Sequence, residues 1–168
     1  MIVTETQRLT LRRFALSDAH WFLKLVNQPS WIVNIGDRQV HSIADAERYI
    51  DVRILSSYAE NDFGLYVIES KTDLRVIGVC GLVKRDTLPE PDIGFALFDE
   101  HAGHGYAEEA ARAVLALAFD QLGLVRLLAI TTPNNERSIK LLQKLGFDKE
   151  GVINTGGEAL CLFVATAR

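Results

Sequence analysis

The chain has 168 residues, of which 48% are hydrophobic and 24% charged, and it carries a net charge of −4. That is enough chain for one domain, spanning 1–168, with a full core, and the composition is globular rather than disordered. The acidic balance and the lack of any Lys/Arg cluster argue against nucleic acid or an anionic membrane surface as partner, while tolerating a basic substrate.

Cys80 and Cys161 stand alone, without CxxC spacing or a neighbouring His, so neither a disulfide framework nor a metal site is expected. The opening MIVTETQRLTLRRF lacks a signal-peptide core and no run reaches membrane-spanning length, which predicts a soluble, cytoplasmic protein.

In chain order, Thr6 to Phe14 alternates polar and apolar residues and predicts an edge strand. Ser17 is placed to cap a helix carrying Trp21, Phe22, Leu25 and Val26, which Pro29 should end. The stretch Trp31 to His41 reads as irregular; Trp31, Asn34, Asp37 and Arg38 either line a substrate cleft or form a plain surface loop. Ser42 with Asp45 resembles a capping box opening a helix whose stripe is Ile43, Ala46, Ile50 and Ile54, ending near Tyr58. Phe63–Glu69 and Arg75–Val83 predict a β-hairpin, with Gly78 and Gly81 weakening its second strand. Leu124–Thr132 predicts a buried strand, and Ile139, Leu142 and Leu145 a helix closed by Gly146. Phe147–Ile153 and Ala159–Ala165 predict closing strands around a Gly156-Gly157 turn.

The remaining stretch, Ile93 to Ala107, carries the chemistry. Ile93 and Phe95 through Phe98 predict a buried strand, and the stripe Ala107, Ala110, Ala111, Val114 and Ala118 predicts a helix; Gly103, His104, Gly105 and Tyr106 lie between them. Glycines at a helix N-terminus let backbone N–H groups approach an anion, phosphate above all. The alternative is a purely structural strand-to-helix turn. A dinucleotide fingerprint would need glycine where Glu108 stands, and no Lys-Ser or Lys-Thr follows as a P-loop requires.

The segment AGHGYA resembles the acyl-CoA loop of the GNAT N-acyltransferases, Q/R-x-x-G-x-G/A, except that Ala102 stands at the Gln/Arg position. One strand later, NERS followed by KLGF is similar to that superfamily's second segment, and the order β-α-α-β-β-β-α-β-α-β-β is similar along essentially the whole chain. The subgroup resembled is that of the RimJ/RimL-like ribosomal-protein N-terminal acetyltransferases.

The resemblance implies an α/β GNAT fold, a mixed sheet of about seven strands with four helices. It also implies acetyl-CoA as co-substrate and a protein N-terminus or small-molecule amine as acceptor, and it allows a homodimer. Gly103, His104, Gly105, Tyr106 and Ala107 would hold the pyrophosphate, and the backbone of Phe95, Ala96, Leu97 and Phe98 the pantetheine arm, with Leu97 or Phe98 N–H receiving the oxyanion. Asn135 would bond the pantetheine arm, or cap its helix, or both; Lys144, ahead of Arg137 and Lys140, would meet phosphate.

Many GNAT enzymes place a tyrosine acid where this chain has Leu142, which leaves Ser138 as the hydroxyl for the leaving thiolate or as a small packing residue. The base candidates are Asp92, which the resemblance favours, Glu69 and Glu90. His101 and His104 read as exposed, and two imidazoles make a poor metal site. The leading expectation is therefore an N-acetyltransferase working by direct attack in a ternary complex. The alternatives are a non-catalytic CoA-binding or sensing domain and a structural domain that binds no CoA.

Overall fold

A computed structural model describes residues 1–168. One eight-stranded sheet runs in the order β1-β2-β3-β4-β5-β6-β8-β7. The eighth strand arises at the N-terminus, where the expected Thr6–Phe14 strand is a hairpin of β1 (Ile2–Glu5) and β2 (Leu9–Arg13). Thr6 turns the chain there: its backbone N–H donates to the Leu9 carbonyl and its hydroxyl accepts from the Leu9 N–H.

Asp18, not Ser17, organises the start of α1 (Ala19–Asn27). Its carboxylate accepts from the Ala15 N–H, the Trp21 indole and the Arg12 Nη1 and Nη2, so the buried charge is fully partnered. Burial pushes this carboxyl up, but the bonds from Arg12, Ala15 and Trp21 outweigh it and hold it below the usual range.

Pro29 ends α1 and also opens α2 (Pro29–Asn34) at its first position, where a missing N–H costs nothing. The Trp31 stretch is thus helical, with Trp31 buried edge-on to Phe22. Ser42 caps α3 (Ile43–Tyr49) by accepting from the Asp45 N–H, while the Asp45 carboxylate reaches past Ser42 to the His41 N–H. The helix continues through a wide turn, Ile50–Leu55, into α4 (Ser56–Asn61), which Asp62 closes in the left-handed region at φ 65°.

β3 (Leu65–Ser70) and β4 (Val76–Val83) form the expected hairpin. Gly78 and Gly81 do not weaken β4 but let it lie close to its neighbours, Gly78 to β5 and Gly81 to the start of β3. A Cβ at Gly78 would lie 2.2 Å from the Ala96 carbonyl oxygen, and one at Gly81 2.2 Å from that of Gly64. Next come β5 (Asp92–Leu97), α5 (Tyr106–Ala116), β6 (Arg126–Thr131) and α6 (Glu136–Lys144), then β7 (Asp148–Thr155) and β8 (Glu158–Thr166). Gly156 and Gly157 both have positive φ between paired Thr155 and Glu158, as a two-residue turn of this hand requires.

The feature that sets up a site is the β5–β6 junction. These parallel strands pair only through Asp92 and Leu128, while β6 pairs along its other edge with β8 over Arg126–Thr131. From Ile93 onward β5 has β4 on one side and no strand on the other. A continuous core of 36 buried residues lies beneath, and no helix is long and apolar enough to cross a membrane.

Candidate active site

The backbone of β5 shows what the open edge offers. In an antiparallel ladder, directly opposed residues alternate between exchanging both hydrogen bonds and exchanging none. Phe98 donates to the Ile77 carbonyl at 3.0 Å, and Leu97 is opposed by Gly78 without register shifts. Ala96 therefore faces β4 as Phe98 does, while the N–H groups of Phe95 and Leu97 point the other way, into the splay. Of the two oxyanion donors expected from sequence, Phe98 is already engaged and Leu97 is free. Residues Gly94 to Phe98 are half-buried, as an apolar cleft wall would be.

Beyond β5, a short turn at Asp99–His101 leads to the glycine loop. Gly103 (φ 84°) and Gly105 (φ 80°) both lie in the left-handed region. A Cβ at Gly103 would meet nothing within 4 Å and one at Gly105 only Arg8 Nη2 at 3.4 Å, so backbone conformation, not crowding within the protein, calls for glycine. Gly105 is the N-cap of α5, offers no capping side chain, and accepts the first helical bond from Glu109. The N–H groups of Tyr106, Ala107 and Glu108 are thus left without helix acceptors at the positive end of the dipole.

The loop is fastened by a residue the sequence reading did not single out. Arg8 donates from Nη1 to the His104 carbonyl at 2.9 Å and from Nε to Glu109 Oε1 at 2.8 Å, with its guanidinium 4.5 Å from the Tyr106 ring centre. Glu109 also accepts from the Arg8 N–H and the Thr6 hydroxyl. Burial pushes the Glu109 carboxyl up, and these bonds overcome it and hold it low. The partners lie roughly a hundred residues from Arg8, so no local pattern announced it.

His101, expected to be exposed, is buried against Tyr106, and its Nε2 has no hydrogen-bond partner; His104 is exposed as expected. No group of three or more His, Cys, Asp or Glu side chains is placed to share a metal ion.

Across the splay, β6 ends at Thr131 and α6 begins at Glu136, so Asn135 sits just past the end of β6. Its Oδ1 accepts from the Ser138 N–H at 3.3 Å, which makes it the cap and leaves its amide N–H groups unused. Ser138 is half-buried one turn on, and Leu142 is fully in the core. Lys144 Nζ lies 3.2 Å from Glu108, which also pairs with Arg112, so the end of α6 is held to the first turn of α5. Arg137 and Lys140 are exposed and form no ion pair.

The three carboxylates considered as bases are each tied to an arginine: Glu69 to Arg12 at 3.2 Å, Glu90 to Arg126 at 3.2 Å and Asp92 to Arg85 at 2.9 Å. Asp92 alone is buried, at 1% exposure, and burial, partly opposed by Arg85, pushes its carboxyl above the usual range. It sits where β5 and β6 still pair, at the closed end of the splay.

Two surface recesses lie elsewhere. One of about 350 Å³, lined by Arg126, Asp148 and Lys149 among others, is at the opposite end of β6 from the glycine loop. The other, about 210 Å³, is lined by Arg38, Arg48, Arg53 and Tyr49, so of the residues expected to face a cleft Arg38 does line a recess, while Trp31 is packed inside.

Residues 8–148 match the acetyltransferase (GNAT) domain. An uncharacterized N-acetyltransferase of Bacillus licheniformis, p20, is 34% identical over 151 residues, covering 88% of this chain and 83% of that protein. Among solved structures, an acetyltransferase from Agrobacterium tumefaciens superposes with a TM-score of 0.84 at 23% identity, over 98% of this chain and 94% of that one. The ribosomal L7/L12 α-N-protein acetyltransferase RimL, in complex with coenzyme A, does so with a TM-score of 0.83 at 16% identity, over 99% and 98% of the two chains. With a domain match over most of its length and a curated relative aligned nearly end to end, the chain belongs to the GNAT family of acetyltransferases, enzymes that use acetyl-CoA.

Proposed function

We propose that this protein transfers the acetyl group of acetyl-CoA to a primary amine, on a protein N-terminus or a small molecule, by direct attack in a ternary complex. The observation that carries this reading is the pairing of two free donor sets: the Leu97 and Phe95 N–H groups along the open edge of β5, and the uncapped N–H groups of Tyr106 to Glu108 at the start of α5. A pyrophosphate on the second set lets a pantetheine arm run along the first. Asn135, with its amide N–H groups spare, and Lys144, held beside Glu108, flank that track.

In the transfer the amine nitrogen bonds to the thioester carbonyl carbon, and the electron pair moves onto oxygen, where the Leu97 N–H receives it. Collapse breaks the C–S bond, and the CoA thiolate takes a proton from the Ser138 hydroxyl, which solvent restores. The amine's proton passes through water to a carboxylate. We favour Asp92, the position the family resemblance points to and the one of the three that is buried, with its carboxyl raised above the usual range by burial; Glu69 and Glu90 are half-exposed.

An acetyl-enzyme route has little to draw on. Cys80 is fully buried within β4, its thiol pushed strongly up by burial, and Cys161 is buried in β8. Two cysteines held as free thiols also suit a reducing, cytoplasmic setting.

The test is release of CoA thiol from acetyl-CoA over a panel of N-terminal peptides, polyamines, amino acids and aminoglycosides. Acceptor-dependent release supports the transferase reading and ranks the acceptors. Tight acetyl-CoA binding with no release over the whole panel favours a CoA-sensing domain instead.

A further inference from the structure

We propose that Gln28 is a positioning residue for acetyl transfer: it holds the end of β5 so that Leu97 turns its N–H to the thioester oxygen, and it takes the Leu97 carbonyl out of play. The proposal rests on the reading of Leu97 as the oxyanion donor.

Gln28 lies between α1 and α2, held in an extended conformation (φ −68°, ψ 147°) by the proline that follows. From there its side-chain amide crosses to the end of β5, 69 residues away in sequence. Nε2 donates to the Leu97 carbonyl at 2.8 Å, and Oε1 accepts from the Asp99 N–H at 3.3 Å. One residue on, the Ser30 hydroxyl donates to Asp99 Oδ1 at 2.8 Å. Trp21, from α1, packs edge-on to Phe98, the residue between Leu97 and Asp99.

The ladder explains why such a clamp is needed. Leu97 opposes Gly78 at a position that exchanges no bonds with β4, so both its N–H and its carbonyl face the splay. A regular sheet would satisfy that carbonyl from the next strand, but β6 pairs with β5 only at Asp92–Leu128 and has no partner residue for Leu97. Gln28 stands in for the missing strand at this one point. The peptide linking Leu97 to Phe98 is thereby fixed at both ends, its N–H by the Ile77 carbonyl and its oxygen by Gln28.

Two consequences follow for an oxyanion. The Leu97 N–H belongs to the preceding peptide, which lies between the Ala96–Val79 pair and the clamped Leu97–Phe98 peptide, so it is held from both sides, which is the preorganisation such a donor needs. The adjacent carbonyl oxygen, otherwise a negative partial charge beside the developing one, is turned into an acceptor already occupied. A neutral amide can do both without placing a charge there, whereas a carboxylate in its place would keep the Asp99 bond and repel the Leu97 carbonyl.

The test uses acetyl-CoA labelled with ¹³C at the thioester carbonyl, bound to the intact protein, with its C=O stretch read by infrared difference spectroscopy. Turnover is read alongside as thiol release to the amine found by screening, or to water. In the wild type the band should lie below that of free acetyl-CoA. Gln28→Ala and Gln28→Glu should return it toward the free value and lower turnover about tenfold or more, within the ~10²-fold that small misplacements cost, with acetyl-CoA affinity kept within a few-fold. Ser30→Ala, which cuts only the neighbouring link to Asp99, should leave band and turnover at wild type. Gln28→Glu is nearly isosteric and carries the test if the alanine variant misfolds. A shifted wild-type band that both Gln28 variants retain, with wild-type turnover, overturns the proposal alone; an unshifted wild-type band removes the oxyanion donor and the proposal with it.

Discussion

Arg8 donates to the His104 carbonyl at 2.9 Å, tying the turn between β1 and β2 to the glycine loop 96 residues later. Ala102 leaves that loop no polar side chain at the position where the resembled motif has Gln or Arg, and Arg8, itself held by Glu109 and Tyr106, is the side chain that bonds its backbone. Charge-assisted bonds reach ~1.5–3 kcal/mol when buried, but Arg8 is partly exposed, so about 1 kcal/mol is a fair value after screening.

Arg8→Ala should accordingly weaken acetyl-CoA binding about fivefold, the factor that ~1 kcal/mol corresponds to. Arg8→Lys should recover little, since an ammonium cannot reproduce the forked contact with His104 and Glu109. Titration calorimetry decides it, and wild-type affinity in the alanine variant would detach Arg8 from the loop's function.

Asn135 separates into two roles through its two side-chain atoms. The cap uses Oδ1, and a cofactor contact would use the amide N–H groups. Asn135→Asp should keep the melting temperature and still weaken acetyl-CoA binding, whereas Asn135→Ala should lose ~1 kcal/mol of stability as well. If the aspartate variant binds as the wild type does, Asn135 is a cap only.

Asp92 makes a pH-dependent prediction whose sign follows from burial. Its folded-state pKa lies above the unfolded one, so its contribution favouring the fold is full below the ordinary carboxylate range near ~4 and is lost as pH rises through the folded value. The melting temperature of Asp92→Asn relative to wild type should therefore rise between acid and neutral pH. If Asp92 is also the base, the acidic limb of the rate profile moves in the same variant. A moved stability curve with an unmoved acidic limb would assign the proton to Glu69, Glu90 or water.

How much of this was legible in the sequence follows from the range of the forces involved. The strand–loop–helix from Ile93 to Ala118 could be read because its signals are local: an apolar run, two glycines, a helical stripe. The Ser42 cap and the Gly156-Gly157 turn were legible for the same reason. Gly78 and Gly81 were misread as weak points because what they avoid, the Ala96 and Gly64 carbonyls, lies on β5 and just ahead of β3. Arg8 and Gln28 were not seen at all, since each acts on backbone brought to it by the sheet. His101 was misjudged because its burial depends on how the loop folds back, bringing the Tyr106 ring against it, and a histidine in a glycine-rich loop carries no periodic signal of that.

Ser138 can be tested through rate rather than binding. Proton-transfer groups contribute ~10²–10⁴-fold, so Ser138→Ala should lower turnover by at least the smaller factor while acetyl-CoA affinity stays near wild type. Turnover within a few-fold of wild type would make Ser138 a packing residue and leave the thiolate to solvent.

The most direct measurement is a titration of isotopically labelled protein with acetyl-CoA, following backbone amide resonances. The account predicts that the Phe95 and Leu97 N–H signals shift strongly with those of Gly103 to Glu108, while Phe98, bonded to Ile77, and the strands β1 and β7 stay nearly still. Large shifts confined to the arginine-lined recess at Arg38, Arg48 and Arg53, with the Leu97 and Tyr106 amides unmoved, would contradict it.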